Sequence, residues 1–207
     1  MEARYGAIRH LPLGLMYARL ALGLLLLALA AGGVSHFAAL AVALITVGLL
    51  TDVFDGIIAR HLGVSTEKLR RLDSTIDQVF WASVVGATWL ACPGFFRQHA
   101  PQLLLLLGLE VLTYALCYLK FRKEIATHSW AAKAWVLVSF AALVQIIVTC
   151  QAGALFEASF YLGVLSRLEI GAIILLLRRW TNDVPTAWHA ARLRQGKPIK
   201  RHKLFNG

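Results

Sequence analysis

Charge is what this sequence has least of. Only 15% of its 207 residues are Asp, Glu, Lys or Arg, against 58% hydrophobic; a soluble domain carries about 25% charged residues. With a mean hydropathy of +0.66, a chain this poor in charge cannot be solvated over most of its length. Cysteine is scarce too. Cys92, Cys117 and Cys150 share no metal-ligand spacing, and their odd number and scatter argue against a disulfide framework. They lie in or beside apolar stretches and read as small packing residues. There is no internal repeat, no low-complexity linker and no room for a separate soluble domain.

What is present is a series of apolar runs, each of the length needed to cross about 30 Å of hydrocarbon. Spans are predicted near Leu11–Ala31, Phe37–Ile58, Asp73–Cys92, Leu103–Leu119, Trp130–Thr149 and Phe160–Leu177. The fold class expected is therefore an all-α integral membrane protein of six transmembrane helices. Residues 1–180 would form the membrane domain and 181–207 a basic cytoplasmic tail. The first run follows basic residues and ends in small ones, as a signal peptide does, but it is long and Arg19 interrupts it, so it is read as a retained span.

The net charge of +10 could point to nucleic acid, but its distribution excludes that partner. Arg4 and Arg9 precede span one; His61, Lys68, Arg70 and Arg71 lie between spans two and three. Lys120, Arg122 and Lys123 follow span four, and Arg178 and Arg179 follow span six. The alternate loops carry almost nothing, Arg97 being their one Lys or Arg. By the positive-inside rule both termini are cytoplasmic. The basic face then meets the inner leaflet of the cytoplasmic membrane, where anionic headgroups attract Lys and Arg by about 1 kcal/mol each.

The chemistry concentrates in TDVFDGIIARHLGVSTEKLRRLDSTIDQ, residues 51–78. Asp52, Asp55, Gly56, Ala59 and Arg60 fall on one helical stripe, and Asp73 and Asp77 share a face at i, i+4. The connector His61–Leu72, with Gly63, Ser65 and Thr66, is short enough to return the chain as an antiparallel helix, so the two acidic faces can meet. Asp52 lies roughly 22 Å along a helix from Phe37, within the cytoplasmic part of the apolar slab. An aspartate at the bilayer centre costs about 2.5–3.5 kcal/mol, less near the interface. Four of the chain's eleven acidic residues gather here, and they repel one another unless cations or protons neutralise them. Interfacial caps and ion pairs with Arg60, Lys68, Arg70 and Arg71 would explain one or two such residues; four on two facing stripes point to a metal site. Histidine-free, all-oxygen ligation suits a hard cation, Mg²⁺ or Mn²⁺. Two such ions bridged by carboxylates are the usual device of phosphoryl chemistry. Gly56 and Ala59 leave room for a phosphorylated group, and Arg60 supplies a fork for phosphate.

These residues resemble the signature of the CDP-alcohol phosphotransferase family of membrane enzymes, D-x2-D-G-x2-A-R followed by G-x3-D-x3-D. Asp52, Asp55, Gly56, Ala59, Arg60, Asp73 and Asp77 match it, and Leu69 stands where the second glycine would be. Leu11–Leu20, with Pro12 and Arg19, is similar to the family's first helix, and His128–Lys133 to the polar start of its fifth. The resemblance implies that Asp52, Asp55 and Asp73 hold two divalent ions, with Asp77 completing the second site and accepting the proton of an acceptor hydroxyl. It implies nucleotide contacts from Gly56, Ala59 and Arg60, release of CMP from a CDP-alcohol such as CDP-diacylglycerol, and a homodimer. It places such a transfer in phospholipid biosynthesis. Leu69 opens three readings: a shifted nucleotide, weaker binding, or a relative that has lost the reaction. The complete ligand set favours activity.

Arg19, Glu110, Arg167 and Glu169 are charges inside apolar segments, which face cavities or pair with one another. Arg19, Arg167 and Lys133 are candidates for an acceptor's phosphate; the alternative for the arginines is ion pairing with Glu110 and Glu169, and for Lys133 snorkelling to headgroups. Asp183, Val184 and Pro185 open a short amphipathic helix reaching about Arg194, and with Arg192, Lys197, Lys200, Arg201 and Lys203 the tail is read as membrane-surface contact. Two other functions are weighed. A divalent-cation transporter needs polar residues across the bilayer, which the outer halves of the spans lack; a catalytically silent lipid or nucleotide binder is motivated by Leu69.

Overall fold

The computed structural model describes residues 10–64, 66–123, 125, 129–182 and 184–199, and of Glu67 and Arg70 the backbone alone. Arg4, Arg9, Ser65, His128, Asp183, Lys200, Arg201 and Lys203, singled out above, lie outside the described residues. Within them the chain is helical, without a strand: α1 (Leu11–Ala31), α2 (Phe37–His61), α3 (Glu67–Ala91), α4 (Pro93–Gln98), α5 (Ala100–Phe121), α6 (Trp130–Thr149), α7 (Ala154–Leu176) and α8 (Ala187–Arg194). Five of these, α1, α2, α5, α6 and α7, are long and apolar enough to cross a membrane. The remaining expected span forms a 25-residue helix, α3. Asp73, Ser74, Thr75, Asp77 and Gln78 make its first half polar, and it is not among the five apolar candidates.

The residues fall into two compact units, 1–95 with 146–150, and 96–145 with 151–207. In the first, α1 packs along both α2 and α3, while α2 and α3 touch each other little. The expected direct meeting of those two helices is thus replaced by an arrangement around α1. The sequence explains the seam. Met16, Arg19, Gly23 and Leu26 are the buried stripe of α1, and Ala41, Ile45, Gly48, Asp55 and Ala59 that of α2. Both repeat at intervals of three and four residues, one face of a helix. Phe80 of α3, 1% exposed, fills the space between them. The Cβ of a residue replacing Gly23 would lie 3.1 Å from its ring, and one at Gly48 would overlap it.

The reversal between α2 and α3 is sharper than its sequence suggests. Gly63 takes a left-handed φ of 64°; its N–H donates to Arg60 O and that of Val64 to Ala59 O, which closes α2 in a Schellman turn. Thr66 then caps α3 by accepting from Leu69 N–H at 3.2 Å. α3 consequently begins at Glu67, not Asp73, because capped polar residues fill a first turn that reads as loop.

Past the end of α3, Cys92 is disulfide-bonded to Cys150, with Cα atoms 5.2 Å apart. This corrects the reading of the cysteines as unpaired packing residues; only Cys117 is free, and it is buried. Their pairing partners, 58 residues apart, left no local spacing to recognise.

In the second unit α5 packs on α7 and α7 on α8. Lys120 reaches across to donate to the carbonyls of Ile174 and Leu175 at 2.9 and 2.7 Å, capping the end of α7 with a cation. The tail is not loose where it begins: Trp130 N–H donates to Pro185 O, and Val184 and Ala190 are buried against Ile173 and Leu177. The other side of α8 presents Trp188, 61% exposed, with the Arg192 guanidinium over its ring at 5.0 Å.

Candidate metal centre

Asp55 lies on a buried packing stripe, and Asp52, Asp73 and Asp77 stand beside it partly exposed. Asp55 continues the buried stripe of α2 two turns beyond Gly48 and is fully buried. Asp73 and Asp77 precede Phe80 on the same face of α3. Against both comes Arg19, in the middle of the buried stripe of α1 and 1% exposed. Its Nη1 lies 2.7 Å from Asp52 Oδ1 and 3.3 Å from Asp73 Oδ1, and also contacts Asp77; its Nη2 is paired with Asp55.

The four aspartates singled out by spacing are therefore brought to one point, and a fifth residue joins them. Pairing Arg19 with Glu110 or Glu169 was the wrong assignment. Its depth in α1 was the available signal: a buried guanidinium needs anions at its own level, and the densest acidic cluster in the chain is this one. With all four ionised, one guanidinium would leave three of the negative charges uncompensated. Buried groups of one sign need a compensating charge.

The donor set fits a divalent cation. One carboxylate oxygen each from Asp52, Asp55 and Asp73 lie within 4.8 Å of one another, all hard oxygen ligands. Asp55 Oδ1 is buried without a hydrogen-bond partner among the described residues, an unsatisfied acceptor of the kind a metal ion completes. Phe80, one turn beyond Asp77 on α3, packs at Gly23 and Gly48. The site is open, with the side chains of Asp52, Asp73 and Asp77 41%, 28% and 32% exposed.

Of the nucleotide candidates, Gly56 and Ala59 follow on α2, Ala59 buried and Arg60 exposed. The Arg60 guanidinium folds back over Gly56, 3.6 Å from where a Cβ would sit. Leu69 lies in the first turn of α3, half-buried and four residues before Asp73. The backbone there is helical, so a glycine's freedom at positive φ is not required at this position. What leucine changes is bulk on the acidic stripe.

Arg167 and Lys133 belong to the second unit. Arg167 Nε donates to Glu110 Oε2 at 2.8 Å, and its guanidinium lies 4.6 Å from the centre of the Trp135 ring. That partnership was among those expected. Glu169 is not part of it: its Oε2 is buried with no hydrogen-bond partner among the described residues. The Lys133 ammonium lies over Trp130 at 5.4 Å.

A fold that is helical throughout the described residues, with five helices long and apolar enough to cross a membrane and a convergent aspartate cluster, defines a class, the helical integral membrane proteins. Comparison with known families is more specific. The CDP-alcohol phosphatidyltransferase family matches residues 9–181, most of the chain, and the protein belongs to that family. No curated protein and no solved structure matches it. Membership implies transfer of a phospho-alcohol group from a CDP-alcohol.

Proposed function

We infer that the protein is a divalent-metal-dependent transferase that moves a phosphatidyl group from a CDP-linked lipid, CDP-diacylglycerol by chemistry, to a hydroxyl acceptor in phospholipid synthesis. The observation that carries this reading is the convergence of Asp52, Asp55, Asp73 and Asp77 on one guanidinium, in a chain of this family. Asp52, Asp55 and Asp73 would hold two divalent ions, Mg²⁺ or Mn²⁺, with Asp77 completing the second site. Such ions supply charge neutralisation for the attacking and leaving oxygens of the transfer. Gly56 and Ala59 leave space for the donor's nucleotide and Arg60 offers its phosphates a fork. Asp77 accepts the proton as the acceptor oxygen bonds to the β-phosphorus and the bond to the bridging oxygen breaks, releasing CMP. Positioning and charge compensation account for most catalysis of this kind.

The six-span arrangement, with α3 as the polar third span, both termini and the carboxylates on the cytoplasmic side, and residues 181–207 as a basic surface tail, belongs to the same proposal. The disulfide supports it. Cys92 lies fifteen residues beyond Asp77, about 22 Å along α3, and disulfides persist on the oxidising side of a membrane. After reduction, membrane-impermeant thiol reagents should label Cys92 and Cys150 from outside; labelling from the cytoplasmic side alone would reverse the topology. Arg19, Lys133 and Arg167 are the candidates for an acceptor's anionic group; Arg167 is held by Glu110 and Trp135, and Lys133 lies over the Trp130 ring. Two copies pairing in the membrane completes the reading.

The test is CMP release from CDP-diacylglycerol by membranes containing the protein, with Mg²⁺ or Mn²⁺ and a panel of alcohols. Release should need the metal and vanish in Asp73→Asn and Asp77→Asn. Intact nucleotide binding with no release from any donor would make the protein a silent binder, and cation flux without nucleotide would make it a transporter.

A further inference from the structure

Beyond α7 the charge is of one sign. From Val184 to Gly207 the sequence holds Arg192, Arg194, Lys197, Lys200, Arg201 and Lys203 without an Asp or Glu. α8 has two unlike stripes. Ala187, Ala190 and Leu193, at intervals of three, pack with Val184 against Ile173 and Leu177 at the end of α7. Trp188, Ala191, Arg192 and Gln195 fall at i, i+3, i+4 and i+7 on the other side. Gly196 then takes a left-handed φ of 76°, and Lys197 N–H donates to Arg192 O at 3.0 Å, so the chain folds back over the helix end. Lys197 thereby joins Trp188, Ala191, Arg192 and Gln195 around one open hollow, with the Arg192 guanidinium 5.0 Å from the centre of the Trp188 ring. Basic residues in a last helical turn also complement the helix dipole, but that needs neither an exposed tryptophan on their stripe nor a returning lysine.

The level of this hollow follows from what α8 rests on. α7 is apolar enough to cross a membrane and stops at Leu176, so a helix packed on its last turn stands at the bilayer boundary. Two other tryptophans at this end of the unit have a cation over the ring, Trp180 with Lys123 at 4.6 Å and Trp130 with Lys133 at 5.4 Å. Trp130 N–H also donates to Pro185 O just ahead of α8. Amphipathic rings belong at headgroup level, and Lys and Arg there attract anionic lipid. We propose that the hollow on α8 binds the phosphate headgroup of an anionic phospholipid of the surrounding bilayer. Arg192 and Lys197 meet its charge, and Trp188 lies among the upper acyl carbons. The proposal rests on reading the tail as a surface segment and sharpens it from general contact to a site selective for lipid charge. It does not depend on the metal centre.

The test uses the full chain, labelled with 5-fluorotryptophan, in nanodiscs of phosphatidylcholine with a rising share of phosphatidylglycerol. Of the ¹⁹F resonances of its 6 tryptophans, that of Trp188 is identified by its loss in Trp188→Phe. It should shift saturably with phosphatidylglycerol and stay in place in phosphatidylcholine alone. Arg192→Gln with Lys197→Gln should weaken this response about thirtyfold, about fivefold for each cation removed. Arg178→Gln with Arg179→Gln, an equal loss of charge outside the hollow, should leave it within about a factor of three, such charges being screened by salt. An unmoved Trp188 resonance, or an equal response in the two double variants, would overturn the lipid site. A shift produced equally by inorganic phosphate would overturn it too, in favour of a site for soluble phosphates. Surface contact is read separately, as broadening of the same resonance by phosphatidylcholine carrying a headgroup nitroxide. Broadening without a charge-dependent shift would leave the tail at the surface and remove the site; no broadening would remove the surface reading as well.

Discussion

Two arginines sit inside apolar helices of this protein, and their surroundings differ in charge balance. Arg167 has a single acidic partner, Glu110, at 2.8 Å and an aromatic face beside it: one positive charge, one negative, a closed account. Arg19 has four carboxylates. The same side chain at comparable apolar surroundings thus marks a structural ion pair in one unit and a cluster of four carboxylates in the other. Balance, not burial, distinguishes them. Arg167 is 11% exposed and Arg19 1%, so exposure alone would have ranked them alike as buried charges.

The comparison can be broken first at the carboxylates. Asp55→Asn or Asp73→Asn should lower CMP release about a thousandfold or more, beyond the ten- to hundredfold cost of losing an outer-shell partner of a metal. Full activity in either variant would reduce the four-acid cluster to a second structural ion network. Next is the packed seam at Phe80. Gly48→Ala drives a Cβ into the Phe80 ring, and overpacking of this kind costs about 1–3 kcal/mol. Thermal unfolding should show that loss together with weaker Mn²⁺ binding, because Phe80 and Asp77 are one turn apart on α3; unchanged unfolding would mean the packed seam does not support the site. The smallest effect belongs to the balanced pair. Glu110→Gln should cost about 1 kcal/mol, the scale of interhelical polar contacts in membranes, and leave Mn²⁺ affinity within a factor of two. A tenfold loss of affinity would show that the two regions are coupled, not separate.

Much of this was legible in the residues. α1 and α6 have the bounds expected from their apolar runs, Leu11–Ala31 and Trp130–Thr149, because hydrocarbon thickness sets the length of such segments. The four aspartates were legible because helical spacing places them on stripes that packing must bury. Less visible were features set by tertiary contact. The charged residues from Lys68 to Arg71 read as a loop, yet a threonine cap and a Schellman turn let α3 start at Glu67. α4 is six residues long, too short for a periodic signal. The Cys92–Cys150 bridge joins residues 58 apart, and no local pattern announces such a partner. The ion-pair alternative for Arg19 named the wrong anions for the same reason: its charge could be read, but not that α1 lies against both acidic helices.

The most direct test of the central idea is the Mn²⁺ stoichiometry of the purified protein, compared with Asp52→Asn, Asp55→Asn, Asp73→Asn and Asp77→Asn. Two ions per chain are expected in wild type, with occupancy reduced in every one of the four variants. A wild-type protein that binds no Mn²⁺, or binding that all four substitutions leave unchanged, would contradict the assignment of these carboxylates as a metal centre.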